Sequence, residues 1–243
     1  MPPTLAQWHD PDHQGDYLDA VQPTPVGSLV WSQFPIRVYV EPARLSANAS
    51  DRAQVWVDAV TQAVEEWARY LPLTYVDSPD TADITIWRRT PPIQWDRSPD
   101  ASQPSEQPSG PGSNRLPRAR SADAHYQLFV DRPANAAATL SHRFEIQLSP
   151  NQTGDYTKAT ARHEIGHALG IWGHSTLPTD ALYFSQVRNP APISVRDVNT
   201  LKRVYEQPTR LGWAIVEAKE IKPGAQPDIS PISSAILDRT LSK

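Results

Sequence analysis

The stretch from Arg162 to His174, RHEIGHALGIWGH, restricts what this chain can fold into more than any other. His163 and His167 stand four residues apart, with Glu164 directly after the first. A helix turns about 100° per residue, so an i, i+4 pair lies on one face, one turn apart. Two imidazoles so placed can hold one tetrahedral zinc, and the intervening glutamate can reach the water on that metal. Gly170 follows His167 by three residues, where a helix can end in a left-handed conformation that glycine adopts without strain. The chain can then return and bring His174 to the same metal as a third ligand. One coordination position stays open for water, the mark of a catalytic rather than a structural zinc. The bland alternative is a core helix whose histidines are satisfied by hydrogen bonds.

The stretch resembles the zinc-binding consensus of the metzincin metalloendopeptidases, HExxHxxGxxH, and HEIGHALG resembles the matrixin (matrix metalloprotease) branch of that family. The consensus puts its third histidine three residues after the glycine. Gly173 holds that place here, and His174 comes one residue later. Glycine has no side chain to offer, and a loop absorbs an extra residue more easily than a helix does. The third ligand is therefore assigned to His174. Metzincins also carry a methionine in a tight turn beneath the zinc. The only methionine in this chain is Met1, and TDALYF occupies the corresponding place. Leu182 stands where the methionine would be, and Tyr183 follows as in matrixins. The thioether is no ligand in that family; it supplies an apolar floor, which leucine can also supply. The resemblance makes Leu182 and Tyr183 the expected substrate-pocket residues.

Taken in order, residues 1–29 are polar, proline-containing and aperiodic, and read as an N-terminal extension; Gly15-Asp16 reads as a turn, or, by resemblance to the propeptides of another metzincin branch, as an aspartate offered to the zinc. The alternation of Ile36, Val38 and Val40 with Arg37 and Tyr39 predicts a half-buried strand. A helix beginning at Ser50 or Asp51 carries an apolar stripe of Ala53, Trp56, Val57, Val60, Ala63, Val64 and Trp67, and Pro72 lies beyond its end. Leu73–Val76 and Ile84–Trp87 read as short strands, and Asp83 as a turn or strand-end residue. Tyr126–Val130 and Phe144–Leu148 bring the count to about five, with the former at the sheet edge. His125 reads as a surface residue rather than part of a second metal site. Residues 88–122, rich in proline and serine, predict a surface loop without a core of its own. A last helix begins at Ser194, with Asp197 three later as an acidic variant of a capping box.

The order of these elements, the run LPLTYVDSPDTADITI and the closing ISVRDVNTLKRVY also resemble a matrixin catalytic domain, over roughly residues 30–212. That implies an α+β fold: a mixed twisted sheet of about five strands against a long N-terminal helix and a zinc-binding helix, with a C-terminal helix. Residues 213–243 read as a tail. A chain of 243 residues holds one such domain with extensions, and 25 prolines, about twice the usual share, favour long irregular connections.

The expected function is zinc-dependent cleavage of peptide bonds, with Glu164 as general base and a polypeptide as substrate. A monomer is expected. The net charge of −4 offers no basic field for nucleic acid, and no stretch approaches the length of a membrane span. With no cysteines, neither a disulfide nor a thiolate zinc site exists. One catalytic Zn2+ is expected, and calcium is left open. The family is secreted, yet the first residues have neither a basic start nor an apolar core, which leaves the compartment open. Two other functions compete: a metzincin-like domain that binds zinc or peptide without turnover, and a zinc hydrolase using Glu206 or Glu217 as third ligand.

Overall fold

The computed structural model describes residues 1–43, 51–92, 121–215 and the backbone of 239–240. Most of the expected loop at 88–122 and of the tail at 213–243 lies outside these residues, as do Ser50 and Glu217. The fold is α+β, with a five-stranded mixed sheet and four helices. The helices are α1 (Pro3–Ala6), α2 (Asp51–Ala68), α3 (Gly154–Ala168) and α4 (Val195–Tyr205). The strands are β1 (Ile36–Val40), β2 (Leu73–Tyr75), β3 (Ile84–Trp87), β4 (Ala122–Asp131) and β5 (Thr139–Leu148), with a two-residue strand β6 (Arg239–Thr240) added at the edge. Their order is β2-β1-β3-β5-β4-β6. β2, β1, β3 and β5 run parallel, whereas β4 is antiparallel to β5 and β6 to β4.

Register turns the alternation of each strand into one apolar face. Val38 pairs with Ile84, Ile84 with Phe144, and Phe144 with Tyr126, so four buried side chains line up across four strands. Against this face sit α2 and α3. All the expected stripe of α2 except the half-buried Val57 is buried, with Ala59 added. The Trp67 indole donates to the Arg162 carbonyl at 2.9 Å, and Glu66 grips the Arg162 guanidinium through both carboxylate oxygens. Asp83 is structural, as expected: it accepts from the Arg37 backbone and holds its guanidinium bidentately. No helix among the described residues is long and apolar enough to cross a membrane.

The N-terminal segment, expected as an aperiodic extension, is built into the body of the domain. Leu5, Leu29 and Trp31 are buried, and the Trp31 indole donates to the Ala168 carbonyl at the end of α3. Trp8 donates to Asn199 on α4, and Lys202 reaches back to the Trp8 carbonyl. Asp16 pairs with Arg203 on α4 and accepts from the Leu18 backbone N–H.

Strand β5 begins earlier than its apolar run suggests and carries His142 into the core, where it stacks on Trp31 with ring centroids 3.9 Å apart. Burial disfavours the imidazolium, and the side chain's affinity for a proton is pushed down to about 3 from 6.5. In the unfolded chain the group protonates near 6.5, so its contribution is whole above that pH and is lost as pH falls from 6.5 towards 3. We expect wild type to lose up to about 1.4 kcal/mol per pH unit from this group within that window. His142→Phe, which keeps the stack without a proton site, should show a correspondingly shallower acid slope in denaturant midpoints measured from pH 7 to 4. Identical slopes would exclude His142 as a source of acid lability.

Candidate metal centre

Helix α3 runs from Gly154 to Ala168 with Thr153 at its N-cap. It is central: every residue from Ala161 to Ala168 is buried. Its C-terminus closes in a Schellman motif, with Ile171 N donating to the Gly166 carbonyl and Gly170 N to that of His167. Gly170 has φ +129°, a region closed to most side chains, so the expected stop glycine does stop the helix. The return loop that follows carries His174 back over the helix.

His163, His167 and His174 converge there, their nearest ring nitrogens all within 4.8 Å of one another. Two second contacts orient the rings. His163 Nδ1 lies 2.9 Å from the Ala181 carbonyl oxygen and His167 Nδ1 2.7 Å from that of Ile171. A carbonyl only accepts, so each Nδ1 carries the proton and each Nε2 presents a lone pair. Those two Nε2 atoms face each other at 3.1 Å. Two lone pairs at that distance suit a shared cation; a tetrahedral ion bonded at about 2.05 Å spaces its ligand nitrogens by about 3.3 Å. His174 completes the set, its ring centroid 5.2 Å from that of His163 and 4.8 Å from that of His167. The donor set, three imidazoles and no thiolate, can hold a divalent transition metal.

Glu164 is buried to all but 7% and lines the same cleft, a space of about 480 Å3. One wall is Ser121–Asp123 at the start of β4; the other comes from the 180–191 loop, with Tyr183, Phe184 and Pro190. Tyr183 thus lies at the cleft, as expected. Leu182 does not line it. It is fully buried beneath α3, where it occupies the space left by Gly166: a Cβ on that residue would meet Leu182 Cδ2 at 2.7 Å. Leu182 is therefore floor rather than pocket wall. Glu206, the rival ligand, is exposed at the end of α4 and borders a surface hollow with Trp8 and Lys202.

Two buried carboxylates that the sequence did not mark as site residues fasten this floor. Asp180 accepts from Ser175 Oγ, Ser194 Oγ and Arg196 Nε. Asp197, expected only as a helix cap, does complete the box with Ser194, and it also accepts from the backbone of Ala181 and Leu182. Burial raises the Asp197 proton affinity, opposed by these donors. Aspartates in the run STLPTDALYF and at the third position of a helix are common, and only their shared burial distinguishes them. In comparison with known proteins, no family model and no curated sequence matches the chain.

The packing of Leu182 against Gly166 makes its replacement informative. Leu–Met exchange in a packed interior costs less than about 1.5 kcal/mol, so Leu182→Met should leave metal content and melting behaviour nearly unchanged. Leu182→Asp buries a carboxylate beside the ligands and should lower both stability and metal retention. Metal analysis with thermal melts of the two variants checks this; equal behaviour would remove Leu182 from the floor of the site.

Proposed function

We propose that the chain is a zinc-dependent endopeptidase of metzincin type, closest to the matrixin catalytic domain. The observation that carries this reading is the convergence of His163, His167 and His174 beside Glu164 in a cleft bordered by the start of strand β4. The sequence resemblance supplies the metal's identity: three imidazoles form a donor set that suits zinc. Bound zinc supplies Lewis acidity, lowering the pKa of a water to about 7 and polarising a carbonyl. The chain's own residues do the rest. His163, His167 and His174 would hold the ion. Glu164, next to His163 on α3, takes the proton from the attacking water and returns it to the nitrogen of the departing amine. Exclusion of water around a nearly buried carboxylate favours that transfer.

An extended polypeptide suits the cleft, one wall of which is the start of strand β4. A peptide can bind to a sheet as an added strand. The outer side of β4 is one to which a strand adds, since Arg239–Thr240 pair antiparallel with it at His125 and Tyr126. The alternative, a domain that binds zinc or peptide without turnover, draws on the displaced third histidine and the missing methionine; His174 nonetheless joins the cluster and Leu182 fills the floor.

Glu164→Gln is expected to keep a full complement of zinc and lose peptide cleavage by about 10²–10⁴-fold, the usual contribution of a general base. Zinc content and hydrolysis of a quenched-fluorescence peptide library check it together. Unchanged cleavage would rule out Glu164 as the base, and no cleavage by wild type at full zinc occupancy would favour the binding domain.

A further inference from the structure

Gly173 stands where the resembling family has its third histidine, and the fold gives a reason for glycine. A Cβ there would overlap the Ala20 carbonyl oxygen and lie 2.8 Å from Val21 Cα, both parts of the N-terminal backbone. The two segments are in register: Val21 and Gly173 form an antiparallel bridge, and Gln22 N donates to the Trp172 carbonyl at 2.9 Å. The next residue in the return loop is His174.

A second line of contacts reaches the site from below. The Tyr17 hydroxyl donates to Asp197 Oδ1, Ala181 N donates to Asp197 Oδ2 at 2.8 Å, and the Ala181 carbonyl takes the Nδ1 proton of His163. Tyr17 is held in turn by its backbone N–H on Thr200 Oγ1 at 3.0 Å. Alongside, Arg196 donates to the Gln14 and Asp16 carbonyls and to Asp180, and Asp180 takes the hydroxyl of Ser175, the neighbour of His174.

We propose that residues 14–22 are a strap that positions the metal ligands, so that retention of the metal depends on the docking of the N-terminal segment. The proposal rests on the reading of the three histidines as a metal centre. Its physical basis is the unequal support of the ligands. His163 and His167 are fixed by helix α3, whereas His174 sits on a loop whose neighbouring residue is clamped by the strap. Metal leaves when its least supported ligand swings away, and groups that orient ligands typically alter metal affinity 10–100-fold. The extra residue in the return loop and the N-terminal segment are then one feature: the inserted length makes room for the bridge at Val21.

The test uses the full chain loaded with zinc and follows transfer of the ion to an excess of chromogenic chelator. Tyr17→Phe keeps the buried ring and removes only the hydroxyl; release should speed up roughly tenfold, the lower end of the range for groups that orient a ligand. Gly173→Ala should accelerate it further, towards about 100-fold. Arg37→Ala, which removes the ion pair with Asp83 on the sheet, should leave release unchanged whatever it does to the unfolding midpoint. If Gly173→Ala does not fold, Tyr17→Phe decides alone. Unchanged release in Tyr17→Phe, or equal acceleration in Arg37→Ala, overturns the strap. A wild type that binds no zinc overturns the strap together with the peptidase reading. A wild type that holds zinc, responds to Tyr17→Phe and cleaves no peptide supports the strap and removes the peptidase reading alone.

Discussion

The hydrogen bonds from His163 and His167 to the carbonyls of Ala181 and Ile171 are the contacts on which the site depends. They fix which nitrogen of each ring carries the proton and so which one faces the cleft. They also dictate the path of the chain. Ile171 must lie three residues past the helix end, which the Gly170 turn achieves, and Ala181 must come under the helix, which the aspartates of the 180–197 region achieve. Buried polar groups left without partners would cost more than the folding of these loops returns. The irregular chain around the site is therefore as determined as the helix it surrounds.

That determination explains the density of anchors on α3. The helix is buried along its last two turns, and its backbone carbonyls take further donors from elsewhere: Trp31 at Ala168, Trp67 at Arg162. Arg162 itself bridges α2 through Glu66 and the cleft wall through the Ala191 carbonyl. Burying a guanidinium is tolerated only with such complete pairing. Beneath the helix, Gly166 and Leu182 fit as hollow and filling, which shows why an apolar side chain without sulfur serves as floor here.

What the sequence reveals and what it conceals follow the range of the interactions. The Arg162–His174 run, the stop at Gly170, strand β3 and the Ser194–Asp197 box are local patterns, each readable within a turn or a few strand residues. The N-terminal segment is held by single polar contacts to residues some 180 positions away, Tyr17 to Asp197 and Trp8 to Asn199 among them. Such contacts leave no periodicity, so the segment reads as an extension. Strands β4 and β5 are longer than expected for a related reason. Their pairing runs through Asp123, His125, Ser141 and Arg143, beyond the apolar residues that announce a strand. Asp180 looks like any loop aspartate until the serines and arginine around it are brought together by folding.

The proposed function requires three imidazoles to share one zinc. X-ray absorption at the zinc edge of the metal-loaded full chain tests that most directly. The prediction is a first shell of three imidazole nitrogens and one oxygen donor at about 2.0–2.1 Å, with one nitrogen lost in His174→Ala. A wild-type shell with two imidazoles, or one that His174→Ala leaves unaltered, would contradict it.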